Sequence, residues 1–186
     1  SSAFLLFVLE PLITRLHLIR YGGSAAVWNT ALVFFQAVLL LGYLYAERLP
    51  AWLGERKHLV LHSLLLALPL LFLPPALRWT AGATAAPVTA ILLSLAANIG
   101  VPFFVLASNT TLVQVWYSRS SGSRDPFWLY AASNLGSVLA LLLYPFVIEP
   151  GLGLRAQAAW WRYGYVAFLV ISVAILFLAP GGGQSV

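Results

Sequence analysis

Apolar residues fill this chain in long runs, and the polar positions between them fall at a few regular places. The clearest run is residues 126–150, PFWLYAASNLGSVLALLLYPFVIEP. From Phe127 to Ile148 it carries no charge. A hydrocarbon core of about 30 Å is crossed by roughly 20 apolar residues in a helix. Lipid offers no partner to backbone N–H and C=O groups, so such a run must satisfy them within its own helix. Asp125 can cap its start and Pro126 suits its first turn. Pro145 can kink it near the end, and Glu149-Pro150-Gly151 stops it. Ala132, Gly136 and Ala140 recur at every fourth position, a small-residue stripe that lets another helix come close. Tyr130, Asn134 and Ser137 form a polar stripe beside it.

The same pattern predicts an all-α, polytopic transmembrane bundle of about six helices. The expected spans are residues 3–19, 25–46, 58–77, 87–114, 126–150 and 163–179. Asn98-Ile99-Gly100-Val101-Pro102 predicts a kink in the middle of the fourth. Residues 151–162 hold Arg155, Gln157, Trp160, Trp161 and Arg162, which predicts an interfacial helix with an aromatic belt before the sixth span. Tyr21-Gly22-Gly23-Ser24 reads as a turn with Ser24 as a cap. Residues 47–57 and 118–124 read as polar loops. The helical domain covers residues 1–179, and 180–186, with three consecutive glycines, reads as a flexible tail.

Composition narrows the class. Of 186 residues, 61% are hydrophobic and only 8% charged, with a mean hydropathy of +0.91. A soluble domain carries about 25% charged residues. The net charge of +5 comes from ten scattered Lys and Arg at the ends of apolar runs. They suit lipid headgroups, so nucleic acid is not an expected partner. The lack of Cys excludes disulfides, thiolate metal sites and cysteine nucleophiles. The chain also has no Met, even at its start, so the expectation is a removed N-terminus or a piece of a longer product. Counting Lys and Arg on the two sides gives a tie. The dense cluster Arg48, Arg56 and Lys57 tips the expectation toward cytoplasmic termini in a bacterial inner membrane.

Candidate chemistry is sparse. Glu10, Thr14 and His17 share one helical face. Two readings stand for Glu10: an acid near the interface paired with Arg15 or Arg20, or a buried acid that binds a cation or proton. Asn98 at the kink and Asn134 on the fifth span are candidate ligand contacts, and each also reads as interhelical glue. Asn29, Gln36 and Tyr43 lie seven apart, a stripe expected to pack helices. Ser94, Asn98 and Asn109 can share a face. His58 and His62 have the i, i+4 spacing of metal ligands but no third ligand nearby, so no metal site is expected. No cofactor is expected either. Gly22-Gly23 is not a phosphate loop, because no G-x-G-x-x-G follows a strand.

Three stretches carry a resemblance: GGSAAVWNTALVFFQAVLLLGYLYA (22–46), ASNTTLVQVWYS (107–118), and residues 125–150 with LYAASNLGS and YPFVIEP. Together they resemble the membrane half of bacterial fused major-facilitator/spermidine-synthase proteins, over nearly the whole chain. The resemblance implies a six-helix-like membrane unit ahead of a cytoplasmic Rossmann-like aminopropyltransferase domain. The chain has no glycine-rich nucleotide loop and no acidic catalytic pair, so no residue of that activity carries over. The reading is therefore a non-catalytic integral membrane protein. It would be an accessory subunit or anchor within a larger bacterial complex, such as an energy-transducing one, with the bilayer, other membrane subunits or a second copy as partners. The alternative is a transport or binding module for a polyamine or similar cation, with Glu10, Trp28 and Tyr43 holding an amine.

Overall fold

The structure, a computed structural model, describes residues 2–80, 86–120 and 127–178. The expected cap at Asp125 and Pro126, the loop residues 121–124 and the tail 180–186 lie outside the described residues. Among those described, every regular element is helical. Five helices are long and apolar enough to cross a membrane: Ser2–Tyr21, Ala25–Leu53, Pro87–Val115, Phe127–Gly151 and Leu154–Ile175.

Helix α1 (Ser2–Tyr21) lies at the centre and packs against four others. These are α2 (Ala25–Leu53), α5 (Val101–Ser120), α6 (Phe127–Leu143) and α8 (Leu154–Leu178). Leu9, Leu12 and Ile13 of α1 are fully buried, among Phe35 of α2, Phe103 and Leu106 of α5, and Tyr165 of α8. Phe35 and Phe103 meet with ring centroids 4.9 Å apart. Pro11 sits inside α1 without ending it. Hydrocarbon is no less apolar than a leucine, so contacts of this kind hold by van der Waals packing rather than by escape from water.

The closest approach joins α2 to α5. A Cβ on Gly42 would lie 2.9 Å from Ala107 Cβ and 3.0 Å from the Ser108 backbone nitrogen, so only glycine fits there. By contrast α6 and α8 are peripheral. Only 17% of each of their spans is buried, against 56% for α1 and 61% for the span Pro87–Val115. The buried positions of α6 are Gly136 and Ala140, two of the three residues in the expected small-residue stripe.

Several boundaries differ from the sequence reading. The charged loop expected over 47–57 is mostly helix. α2 continues through Leu53 and α3 (Glu55–Ala67) starts after Gly54 alone, whose φ of 74° turns the chain. Glu47, Arg48, Leu49 and Ala51 are good helix formers, charge alone does not break a helix, and Pro50 is carried inside α2. The third apolar run forms α3, then a 3₁₀ segment Leu68–Phe72, then extended chain. Pro74 and Pro75 explain the stop.

The interfacial helix expected over 151–162 is not a separate element. Residues from Leu154 onward belong to the single helix α8, 25 residues long. Its polar residues serve packing. Gln157 accepts from Tyr144 Oη (3.0 Å) and donates to Leu152 O (2.7 Å), and Trp161 Nε1 donates to Leu5 O (2.8 Å). No proline or glycine pair interrupts the helix where a break was expected.

The fourth span holds α4 (Pro87–Leu95), a π-helical turn over Ala96–Gly100, and α5, without a gap. A second π turn, Tyr144–Ile148, contains Pro145 and leads into α7 (Glu149–Gly151). Both turns fall where a proline removes an N–H from the α-helical ladder, at Pro102 and Pro145.

Candidate functional site

The first polar cluster grows from the π turn. Asn98, buried within it, clamps the extended segment after the 3₁₀ helix. Its Oδ1 accepts from the backbone N–H of Arg78 (2.8 Å) and Trp79 (3.1 Å), and its Nδ2 donates to Trp79 O (2.7 Å) and Ser94 O (2.7 Å). The Arg78 guanidinium in turn donates to the carbonyls of Leu71 (3.1 Å), Leu73 and Pro74 (3.5 Å). It thereby caps carbonyls that the short helix leaves open.

His17 joins this cluster through Ser94. Its Nδ1 faces Ile13 O at 2.9 Å, and a carbonyl only accepts, so Nδ1 carries a proton. Nε2 lies 3.1 Å from Ser94 Oγ, which also lies 3.2 Å from Trp79 O. The ring stacks on Tyr21 at 5.9 Å. Thus His17, Ser94 and Asn98, all buried, form one network that ties α1 to α4 and to the 73–80 segment. Every polar atom of Asn98 and both ring nitrogens of His17 have protein partners, and together they clamp α1, α4 and the segment at Arg78 and Trp79.

A second cluster lies between α2, α3 and α5. His62 Nε2 donates to Asn109 Oδ1 (3.3 Å), and Tyr45 Oη lies 3.5 Å from His62 Nδ1. His58 stacks beside His62 with centroids 6.2 Å apart. Both histidines are fully buried. Among the described residues, no three His, Cys, Asp or Glu side chains converge as a metal site would require. Asn109 was expected beside Ser94 and Asn98, but it belongs to this separate cluster.

The remaining predicted residues scatter. Glu10 is half-buried near the middle of α1, and its side chain enters no salt bridge among the described residues. Neither Arg15 nor Arg20 pairs with it. Arg15 Nη1 instead contacts Glu149 Oε1 at 2.8 Å, with both side chains about two-fifths exposed (42% and 41%). That bridge ties α1 to the corner after α6. Thr14, on the expected face, donates to the backbone oxygen of Glu10 (2.7 Å).

Asn29 and Gln36 on α2 and Asn134 on α6 are exposed, as is Tyr43. Within this chain these residues therefore pack against no neighbouring helix. The inward face of α2 is taken by Thr30, Ala31, Phe34 and Phe35, which leaves the carboxamides on the outer surface. Ala132 is also exposed and lines an open cleft of about 490 Å³ between α1, α5, α6 and α8, with Leu5, Asn109, Gln114, Ser133 and Phe168. The predicted ligand set Glu10, His17, Asn98 and Asn134 does not assemble into one site. Only His17 and Asn98 are brought together.

Sequence reasoning missed the Arg15–Glu149 bridge, the His62–Asn109 pair and the Trp161 bond to Leu5 O. For the first a signal existed: two opposite charges at the ends of two spans. The other two join residues 47 and 156 positions apart with no pattern to link them.

Compared with protein-family models, with curated proteins and with solved structures, the chain matches none.

Proposed function

We propose that this protein is a non-catalytic integral membrane subunit, an accessory or anchoring component of a larger complex in a bacterial inner membrane. The observation that carries the reading is the outward placement of Asn29, Gln36, Tyr43 and Asn134 on the spans α2 and α6. A carboxamide facing acyl chains has no hydrogen-bond partner, whereas each interhelical bond contributes about 0.6–2 kcal/mol. Outer faces with several such groups suit protein neighbours better than lipid. The shallow burial of α6 and α8, 17% each, supports the same conclusion.

In this reading the chain crosses six times with both termini cytoplasmic. The third crossing is the segment 55–72. Its apolar helix, Val60–Phe72, has eight α-helical and five 3₁₀ residues, about 22 Å at 1.5 and 2.0 Å per residue, with the charged residues 55–57 at its start. The resemblance to the membrane half of fused spermidine-synthase proteins fits an anchoring role. A complex that transduces energy is one setting for such a subunit. Purification from native membranes in mild detergent tests the proposal: co-purifying membrane proteins support it, and a chain that always runs alone refutes it.

A second reading has one specific support. Glu10 stands near mid-span with no salt bridge among the described residues, and an ionised group at that depth costs at least several kcal/mol without a partner. A polyamine or other cation would supply one. Binding of spermidine that disappears in Glu10→Gln would favour this alternative, and unchanged binding would argue against it.

A further inference from the structure

The exposed surface of α2 has a finer order than a polar face. Asn29, Gln36 and Tyr43 are separated by seven residues, and Ala26, Val33, Leu40 and Glu47 fall between and beside them at alternating steps of three and four. All seven positions are exposed, Val33 by 65% and Leu40 by 58%. From 26 to 47 the seam is about 31 Å long at 1.5 Å per residue, the full depth of a bilayer core. An undistorted helix drifts about 20° per heptad from a strict seven-residue repeat. A polar stripe held at that repeat therefore slants across α2, and a second helix follows it when the two wind left-handedly around each other.

We infer that the occupant of this seam is α2 of a second copy of the same chain, parallel and related by a two-fold axis along the membrane normal. The inference rests on the subunit reading above and names one of its partners. Copies of one protein insert in one orientation, so their α2 helices run parallel and equal residues meet at equal depth. In an isologous contact each group near the axis faces its own counterpart. Asn and Gln each carry a donor and an acceptor, and the Tyr hydroxyl is both, so each of the three polar rungs can bond to itself. An unrelated helix would have to match hydrogen-bonding groups at all three depths. Val33 and Leu40 fill the levels between the rungs. At the end of the seam Glu47 stands next to Arg48 at headgroup level, so each carboxylate has the second copy's guanidinium within reach.

The chain has no cysteine, so single-cysteine variants test this in native membranes. Under oxidising conditions Val33→Cys and Leu40→Cys should each form a dimer of twice 20.2 kDa. Val170→Cys, equally exposed at 62% but on α8, should not. Adding Gln36→Leu should weaken association by roughly 3- to 30-fold, the factor for one interhelical hydrogen bond. Failure of both α2 cysteines to link to themselves overturns the second-copy proposal. If other membrane proteins still co-purify in that case, the subunit reading survives it; if they do not, both fall.

Discussion

Replacing Asn98 by Leu would remove one side chain that holds four backbone groups at once. Leu keeps the branched shape, so no cavity opens, but its methyl groups are bulkier than the carboxamide and some overpacking adds to the cost. Lost are the bonds from Arg78 N–H and Trp79 N–H to Oδ1 and those from Nδ2 to Trp79 O and Ser94 O. Ser94 Oγ lies 3.2 Å from Trp79 O, but its one hydrogen is shared between that carbonyl and His17 Nε2. Each net hydrogen bond contributes about 0.5–1.5 kcal/mol. The residues of the clamped segment are partly exposed, so its freed N–H groups recover some hydration. A total loss of about 2–4 kcal/mol follows, concentrated on residues 73–80. Asn98→Asp keeps the acceptor for both N–H groups but sets a second carboxylate oxygen against the Trp79 and Ser94 carbonyls in a buried place, so it should lose at least as much. Amide hydrogen exchange in detergent or nanodiscs reads this directly. Protection at Arg78 and Trp79 should fall by roughly 30-fold or more in the Leu variant, since 1.4 kcal/mol is about a factor of ten. The core amides of α1 should change far less. Unaltered exchange at both positions would refute the clamp and return Asn98 to the pool of ligand residues.

Gly42→Ala should destabilise the fold by about 1–3 kcal/mol, because its Cβ meets Ala107 Cβ and the Ser108 backbone at 3.0 Å or less; thermal unfolding in detergent measures it, and a neutral result would mean that α2 and α5 sit further apart. Trp161→Phe keeps the stacked ring against Tyr165 but loses the bond to Leu5 O, for about 0.5–1.5 kcal/mol in the same assay. Arg15→Gln should cost under about 1 kcal/mol, since the bridge to Glu149 is about two-fifths exposed and screened. A loss of several kcal/mol there would place that corner inside hydrocarbon. Glu10→Gln should raise stability or leave it unchanged in the subunit reading, because it removes an ionisable group from mid-span; a marked loss would show that the carboxylate is partnered.

Much of the architecture was legible in the pattern of apolar runs. The span after Ser24 begins where its sequence suggests, because turn residues and lipid length both constrain it. The interior of the fold was less legible. Period alone marks Asn29 and Gln36 as a stripe, but it does not say whether the stripe faces the bundle or its surroundings. In water an exposed carboxamide needs no explanation; in lipid it does, so the sequence pattern was read inward. The same ambiguity misplaced residues 151–162. Arg155, Gln157 and Trp161 look interfacial by composition, yet Gln157 and Trp161 are buried through bonds to Tyr144, Leu152 and Leu5. Such partners are set by tertiary contact and leave no local trace. His17 and Asn98 were singled out for the right physical reason, being polar groups at membrane depth. Their partners, Ser94 and the backbone of Arg78 and Trp79, engage them in holding the chain together.

The mass of the particle released intact from native membranes, measured by native mass spectrometry in a mild detergent, bears most directly on the account. Outward carboxamides on α2 and α6 predict a particle in which each 20.2 kDa chain is bound to further protein, another copy or other membrane chains. A single chain surrounded only by lipid and detergent, stable and monodisperse, would contradict it.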